Sequence, residues 1–199
     1  MKLPIRKFAN AISLLLLALA IYSLITKTNI VIFFGYTIFA AVVFLPRIIY
    51  RRLGLHENFS NELLDWIEIS FSLIVLLSIA GYMWLFDSLY HYDTYVHFFT
   101  PLLLLVLVSI LFKAGVEHYE IKTTKSDIVL ASLVIVMSLI LLWEVFEYFV
   151  STYLNKNMFF NPAEPNDTLY DVVAGFMSLP VGAVIVYKYS DWFFDKFKK

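Results

Sequence analysis

The sequence predicts an all-α fold, a polytopic membrane helix bundle of six transmembrane helices with N- and C-termini in the cytoplasm. Composition is the first reason. Hydrophobic residues make up 61% of the 199 residues and the mean hydropathy is +0.78, whereas soluble domains are roughly 45–50% apolar. The second reason is the length of the apolar runs. There are six, at about 8–25, 30–49, 63–86, 95–112, 128–150 and 169–187, each near the ~20 residues that cross ~30 Å of hydrocarbon. The third is the alternation of basic charge between the loops that join them.

The first run follows Lys2, Arg6 and Lys7 and contains Ala18-Leu19-Ala20, as a signal peptide with a cleavage site would. The apolar run continues past Ala20, so it is read as an uncleaved span. Without water to satisfy the backbone, each later run is read as a helix. The connections are short, so neighbours should pack antiparallel within a single transmembrane domain over 1–199. With the N-terminus inside, thirteen of the fifteen Lys and Arg residues fall on the inner side, leaving only Lys27 and Lys156 outside. That asymmetry sets the orientation. The expected location is the plasma (cytoplasmic) membrane of a prokaryote, and the expected partner is membrane lipid. The absence of cysteine excludes disulfides, thiolate zinc sites and cysteine nucleophiles. No basic stripe or nucleic-acid module is present, so no nucleic-acid partner is expected.

The fifth run ends unusually. Sixteen apolar-rich residues lead into Glu144-Val145-Phe146-Glu147. Carboxylates three apart share a helix face, and an ionisable group at the centre of a span costs roughly 2.5–3.5 kcal/mol on insertion scales. They also lie at a helix C-terminus, where the dipole disfavours negative charge. Trp143 and Tyr148 beside them offer the alternative of an interfacial belt.

Two other helix ends arrive at the same depth. The fourth helix opens with Asp93 and His97, four apart on one face. Asp93 alone also reads as a helix cap, and Pro101 frees the His97 carbonyl and predicts a kink. The sixth opens with Asp167 and Asp171, again four apart. Thr168-x-x-Asp171 also reads as a capping box. Beyond it, Gly175, Ser178 and Gly182 form a small-residue stripe for close helix packing, and Pro180 predicts a second kink.

Asp93, His97, Glu144, Glu147, Asp167 and Asp171 are therefore the candidate metal ligands, with His97 and Glu144 as candidate catalytic base or ligand. Hard oxygens with one nitrogen suit a divalent metal such as Mg, Mn, Fe or Zn, with Ca also compatible. Elsewhere, Arg47, Arg51 and Arg52 can pair with Asp65 and Glu68 or bind anionic lipid heads. Thr124-x-x-Asp127 caps the fifth helix. His56 and His118 sit in inner loops without a local cluster. Trp192, Phe193, Phe194 and the last lysines read as an interfacial anchor.

The pattern Tyr92-Asp93-x-x-Val96-His97-Phe98, Trp143-Glu144-x-x-Glu147 and Asp167-x-x-x-Asp171-x-x-x-Gly175 resembles the YjdF-like membrane proteins. It is more distantly similar to the VanZ-like superfamily, in which Asn often stands where this chain has Asp171. The glycine-rich loop with aspartates expected of YjdF-like proteins is replaced here by 155–166. The resemblance covers about 87–182. It implies a small multi-helix membrane protein connected with the cell envelope.

Three functions fit these residues. One is a metal-dependent enzyme acting on lipid or polyprenyl headgroups at the outer face. Another is a structural or accessory envelope protein whose polar cluster holds helices together. The third is a cation or proton transporter. The apolar character of the last three helices below their outer turns argues against a transporter, because a relay needs polar groups along its path.

Overall fold

The computed structural model describes residues 5–26, 30–81, 89, 91–153 and 167–199. Among these the only regular elements are helices: α1 (Ile5–Ile25), α2 (Ile30–Val42), α3 (Leu45–Arg52), α4 (Asn61–Ala80), α5 (Tyr92–His118), α6 (Lys125–Tyr153) and α7 (Asp167–Asp195). Six helical stretches are long and apolar enough to cross a membrane, α2 and α3 together making one of them.

The second apolar run is thus two helices rather than one. Pro46 is the cause. It has no N–H to give to the Val42 carbonyl, and here, unlike at Pro101 and Pro180, the hydrogen-bond ladder is interrupted. The chain turns at Val43 and Phe44, with the Val43 N–H on Phe39 O at 3.0 Å and the Phe44 N–H on Ala41 O at 3.1 Å. The third expected span, 63–86, is helical over Asn61–Ala80, and its last residues lie outside the described ones. The last three helices are longer than their apolar runs, at 27, 29 and 29 residues. Hydropathy marks only the part that needs lipid, whereas the hydrogen-bond ladder continues into polar turns at each end. Both α5 and α7 stay helical through Pro101 and Pro180.

The chain divides into two compact units, 1–76 with 197–199, and 77–196. In the first, α1 presents Ala9, Ile12, Leu16 and Ala20, all buried, at helical spacing. The Ser13 hydroxyl donates to the Ala40 carbonyl at 2.9 Å and joins α1 to α2. Arg47 makes a two-pronged bond to the buried Glu68, Nε to Oε1 at 2.6 Å and Nη2 to Oε2 at 2.9 Å. The fork geometry favours Arg over Lys here.

In the second unit the three long helices pack along rows spaced four residues apart. On α5 the row is Asp93, His97, Pro101, Leu105, Ser109 and Lys113, its last four members buried. On α6 it is Ile128, Ser132, Val136, Ile140 and Glu144, all buried. On α7, Asp171, Ser178 and Leu179 are buried beside the small residues. Rows spaced by four are the ridges that commonly interlock between helices. Leu105, Val136, Ile140 and Leu179 form the central apolar cluster. The row serines do not disturb it: Ser109, Ser132 and Ser178 donate to the carbonyls of Leu105, Ile128 and Gly175 on their own helices.

Gly182 shows how close α5 and α7 come. A Cβ there would lie 2.7 Å from Leu105 Cδ2. Gly182→Ala should cost roughly 1–3 kcal/mol, the usual range for overpacking, read as a lower melting temperature in detergent. Gly35→Ala, where a Cβ would meet nothing within 4 Å, is the matched control and should leave stability nearly unchanged.

Candidate metal centre

The polar ends of these rows meet around one imidazole. His97, on the second turn of α5, sits among carboxylates from all three helices. Its Nδ1 lies 3.3 Å from Glu144 Oε1 on α6. Its Nε2 lies 3.5 Å from Asp93 Oδ1 on its own helix and 3.9 Å from Asp171 Oδ2 on α7. Glu147 completes a second group with His97 and Glu144. The sets Asp93–His97–Asp171 and His97–Glu144–Glu147 each offer three ligand atoms within 4.8 Å of one another. Five of the six residues singled out from the sequence therefore converge. The sixth, Asp167, opens α7, and its side chain lies outside the described residues.

Local backbone features hold this arrangement. His91 precedes α5 in the left-handed region, φ 62°, uncommon for a residue other than glycine. Its carbonyl accepts the Tyr95 N–H at 3.1 Å. The Tyr92 hydroxyl donates to Leu77 O at 2.9 Å. With His91 as the capping residue, Asp93 is the second residue of the helix and turns inward rather than closing the end. Asp171 lies one turn into α7 and is buried. Gly175, one turn beyond, lets α7 approach α5: a Cβ would lie 3.5 Å from the His97 carbonyl and 3.2 Å from Ile140 Cδ1.

Glu144 is 5% exposed, and among the described residues neither of its carboxylate oxygens accepts a hydrogen bond. Its contact with His97 has the distance of an ion pair without hydrogen-bond alignment. A buried carboxylate left this way is costly.

The opposite end of the same unit holds a cluster that sequence reasoning missed. Buried Lys113 and exposed Lys125 both pair with Asp191. Lys113 also lies 3.9 Å from Glu117 Oε1 and 5.0 Å above the Phe194 ring. The signal was available: Lys113 falls four residues after Ser109 on the α5 row. Phe194 is consequently buried and no anchor, while Trp192 is exposed with Lys196 3.6 Å over its ring. The Thr124 cap is present, Thr124 N–H to Asp127 Oδ2 at 2.8 Å and Asp127 N–H to Thr124 Oγ1 at 3.2 Å. His118 belongs to the last turn of α5 rather than to a loop, packed edge-on against Tyr119.

A chain whose described residues include six helical stretches long and apolar enough to cross a membrane, with a histidine–carboxylate cluster among α5, α6 and α7, is an integral membrane protein. It belongs to the family described as predicted membrane protein (DUF2238), which it matches over residues 8–196. Comparison with curated proteins and with solved structures gives no match in either set.

Glu144→Gln keeps the shape and removes the charge. In the presence of chelator it should raise the stability of the purified protein by about 1–3 kcal/mol, the scale of an unsatisfied buried polar group. An unchanged or lower melting temperature would mean that His97, 3.3 Å away, already compensates the carboxylate.

Proposed function

We propose that the cluster binds a divalent metal ion and that the protein is a metal-dependent membrane enzyme acting on lipid or polyprenyl headgroups. The observation that carries this reading is Glu144, buried with both oxygens lacking hydrogen-bond donors, within 4.8 Å of other ligand atoms. Four ionised carboxylates around one imidazole would carry more negative charge than His97 alone can neutralise; protonation of some of them or a divalent cation removes the surplus, and the proposed site uses the cation. The donor set, oxygen-rich with one nitrogen, suits Mg, Mn, Fe or Zn.

Chemical roles follow from position. His97 presents its two nitrogens to different carboxylates. One nitrogen is then free to ligate while the other is oriented by a carboxylate, as metal-bound histidines usually are. Asp93 and Asp171 complete a ligand set on the Nε2 side. Glu144 orients His97 from the Nδ1 side or takes up a proton as general base. A bound ion would supply Lewis acidity and an activated water. The distribution of Lys and Arg supports an extracytoplasmic position for this end, and the resemblance to YjdF-like and VanZ-like proteins is in keeping with a place in the cell envelope. Exposed Tyr95, Phe99, Tyr148 and Tyr170 on the same helix ends offer lipid-facing aromatic surface at headgroup depth.

A second reading rests on the contacts of His97 with α5, α6 and α7. A charged imidazole at that point is an ionic knot, and the protein would be a structural or accessory component of the envelope.

Metal content of the detergent-purified protein, measured by mass spectrometry beside Glu144→Gln and His97→Ala, separates the two. The enzyme reading expects about one ion per chain in the wild type and loss in both variants. It also expects roughly 2.7 kcal/mol of added stability at a metal concentration of 100 Kd. A metal-free wild type whose stability ignores added cations, with His97→Ala melting lower, would instead support the knot.

A further inference from the structure

A second site lies in the other unit. The last turn of α3, the turn after it and the start of α4 enclose a cleft of about 300 Å³ lined by Tyr50, Arg51, His56, Asn61 and Leu64. That is the lower end of the roughly 300–1,000 Å³ of ligand sites. Buried Tyr50 and Leu64 form its floor. Exposed Arg51, His56 and Asn61 form its rim. The rim side chains are a guanidinium, an imidazole and a carboxamide, and among the described residues no carboxylate lines the cleft.

The walls are held by backbone geometry. Gly54, at φ 70°, ends α3. The Gly54 N–H donates to Arg51 O at 3.1 Å and the Leu55 N–H to Tyr50 O at 3.1 Å, the paired bonds of a Schellman turn. That turn carries His56 back toward Arg51. The tail then fastens the segment: Ser60 N–H to Phe197 O at 2.8 Å and Lys199 N–H to Asn58 O at 3.0 Å. Lys199 Nζ donates to the His56 carbonyl at 2.5 Å, bringing another cation to the rim. The Tyr50 hydroxyl is occupied by Ser60 O at 2.9 Å.

The three arginines of this segment differ. Arg47 is committed to Glu68. Among the described residues, Arg51 and Arg52 have no carboxylate within ion-pair distance, although Glu57 and Glu62 are nearby in sequence. Exposed Leu45 and Ile48 lie on the preceding turns of the same helix, and Trp66 is exposed on α4. A cationic rim above an apolar floor, beside exposed apolar side chains, suits a phosphate attached to an apolar tail.

We propose that this cleft binds a phosphate group, with Arg51 as principal ligand and His56 and Asn61 as supporting donors. The anionic headgroup of a phospholipid and a soluble phosphate ester share this chemistry, and the experiment distinguishes them. The full-length protein in neutral detergent is titrated with short-chain phosphatidylglycerol, with phosphatidylcholine and with glycerol phosphate, bound ligand being counted by native mass spectrometry. Arg51→Gln should weaken phosphatidylglycerol binding at least about tenfold, the loss expected for a hydrogen bond to a charged group. His56→Gln should weaken it less. Lys122→Gln removes an equal charge from an exposed position elsewhere and should leave binding unchanged.

Displacement of the lipid by glycerol phosphate would identify a soluble ester as sufficient, and no displacement would identify the lipid as the ligand. Equal effects of Arg51→Gln and Lys122→Gln on phosphatidylglycerol binding would overturn the site, whereas equal, Arg51-dependent binding of phosphatidylcholine would support recognition of the phosphate itself rather than of the net headgroup charge.

Discussion

Charge in a medium of low dielectric must be matched locally, and the second unit is built around two places where this happens. At one end, His97 faces carboxylates from three helices. At the other, Asp191 lies between Lys113 and Lys125. Between them the helix rows are apolar or carry serines bonded to their own backbone. Lipid provides little hydrophobic drive for helix association. Polar matching at the two ends and tight packing in the middle therefore do the work that water does in soluble proteins.

The packing explains why the ligand atoms can converge. A carboxylate on α7 reaches an imidazole on α5 only if the backbones approach closely. Gly175 and Gly182 provide the space, their missing side chains facing Ile140 and the His97 carbonyl at one level and Leu105 at the other. Pro101 follows His97 by one turn and leaves that carbonyl without its usual N–H. The small-residue stripe and the proline thus help set the geometry of the histidine–carboxylate cluster.

Much of this was legible in the residues. Six apolar runs gave the helices, and alternation of direction brought Asp93, His97, Glu144, Glu147 and Asp171 to one end. Four-residue spacing already put Asp93 with His97. What hydropathy could not supply was the break at Val43 and Phe44, because an apolar average does not register a proline inside it. The capping expectation for Asp93 failed for a related reason. A cap depends on where the helix starts to within one residue, and the placement of His91 decided it. Pairing was also only half visible: Arg47 with Glu68 was among the expected combinations, whereas Lys113 with Asp191 joins residues 78 positions apart.

The separation of the two charged ends has an electrical meaning. His97 and Lys113 are sixteen residues apart on one continuous helix, about 24 Å at 1.5 Å per residue, against ~30 Å of hydrocarbon. Most of a transmembrane voltage would fall across the apolar slab between them. Carrying one charge through a full 100 mV drop involves about 2.3 kcal/mol, but an ion that reaches His97 from the nearer aqueous phase crosses little of that field. For an ion held at His97, as proposed, occupancy would then be governed by the composition of one bathing solution and would be nearly indifferent to the energised state of the membrane.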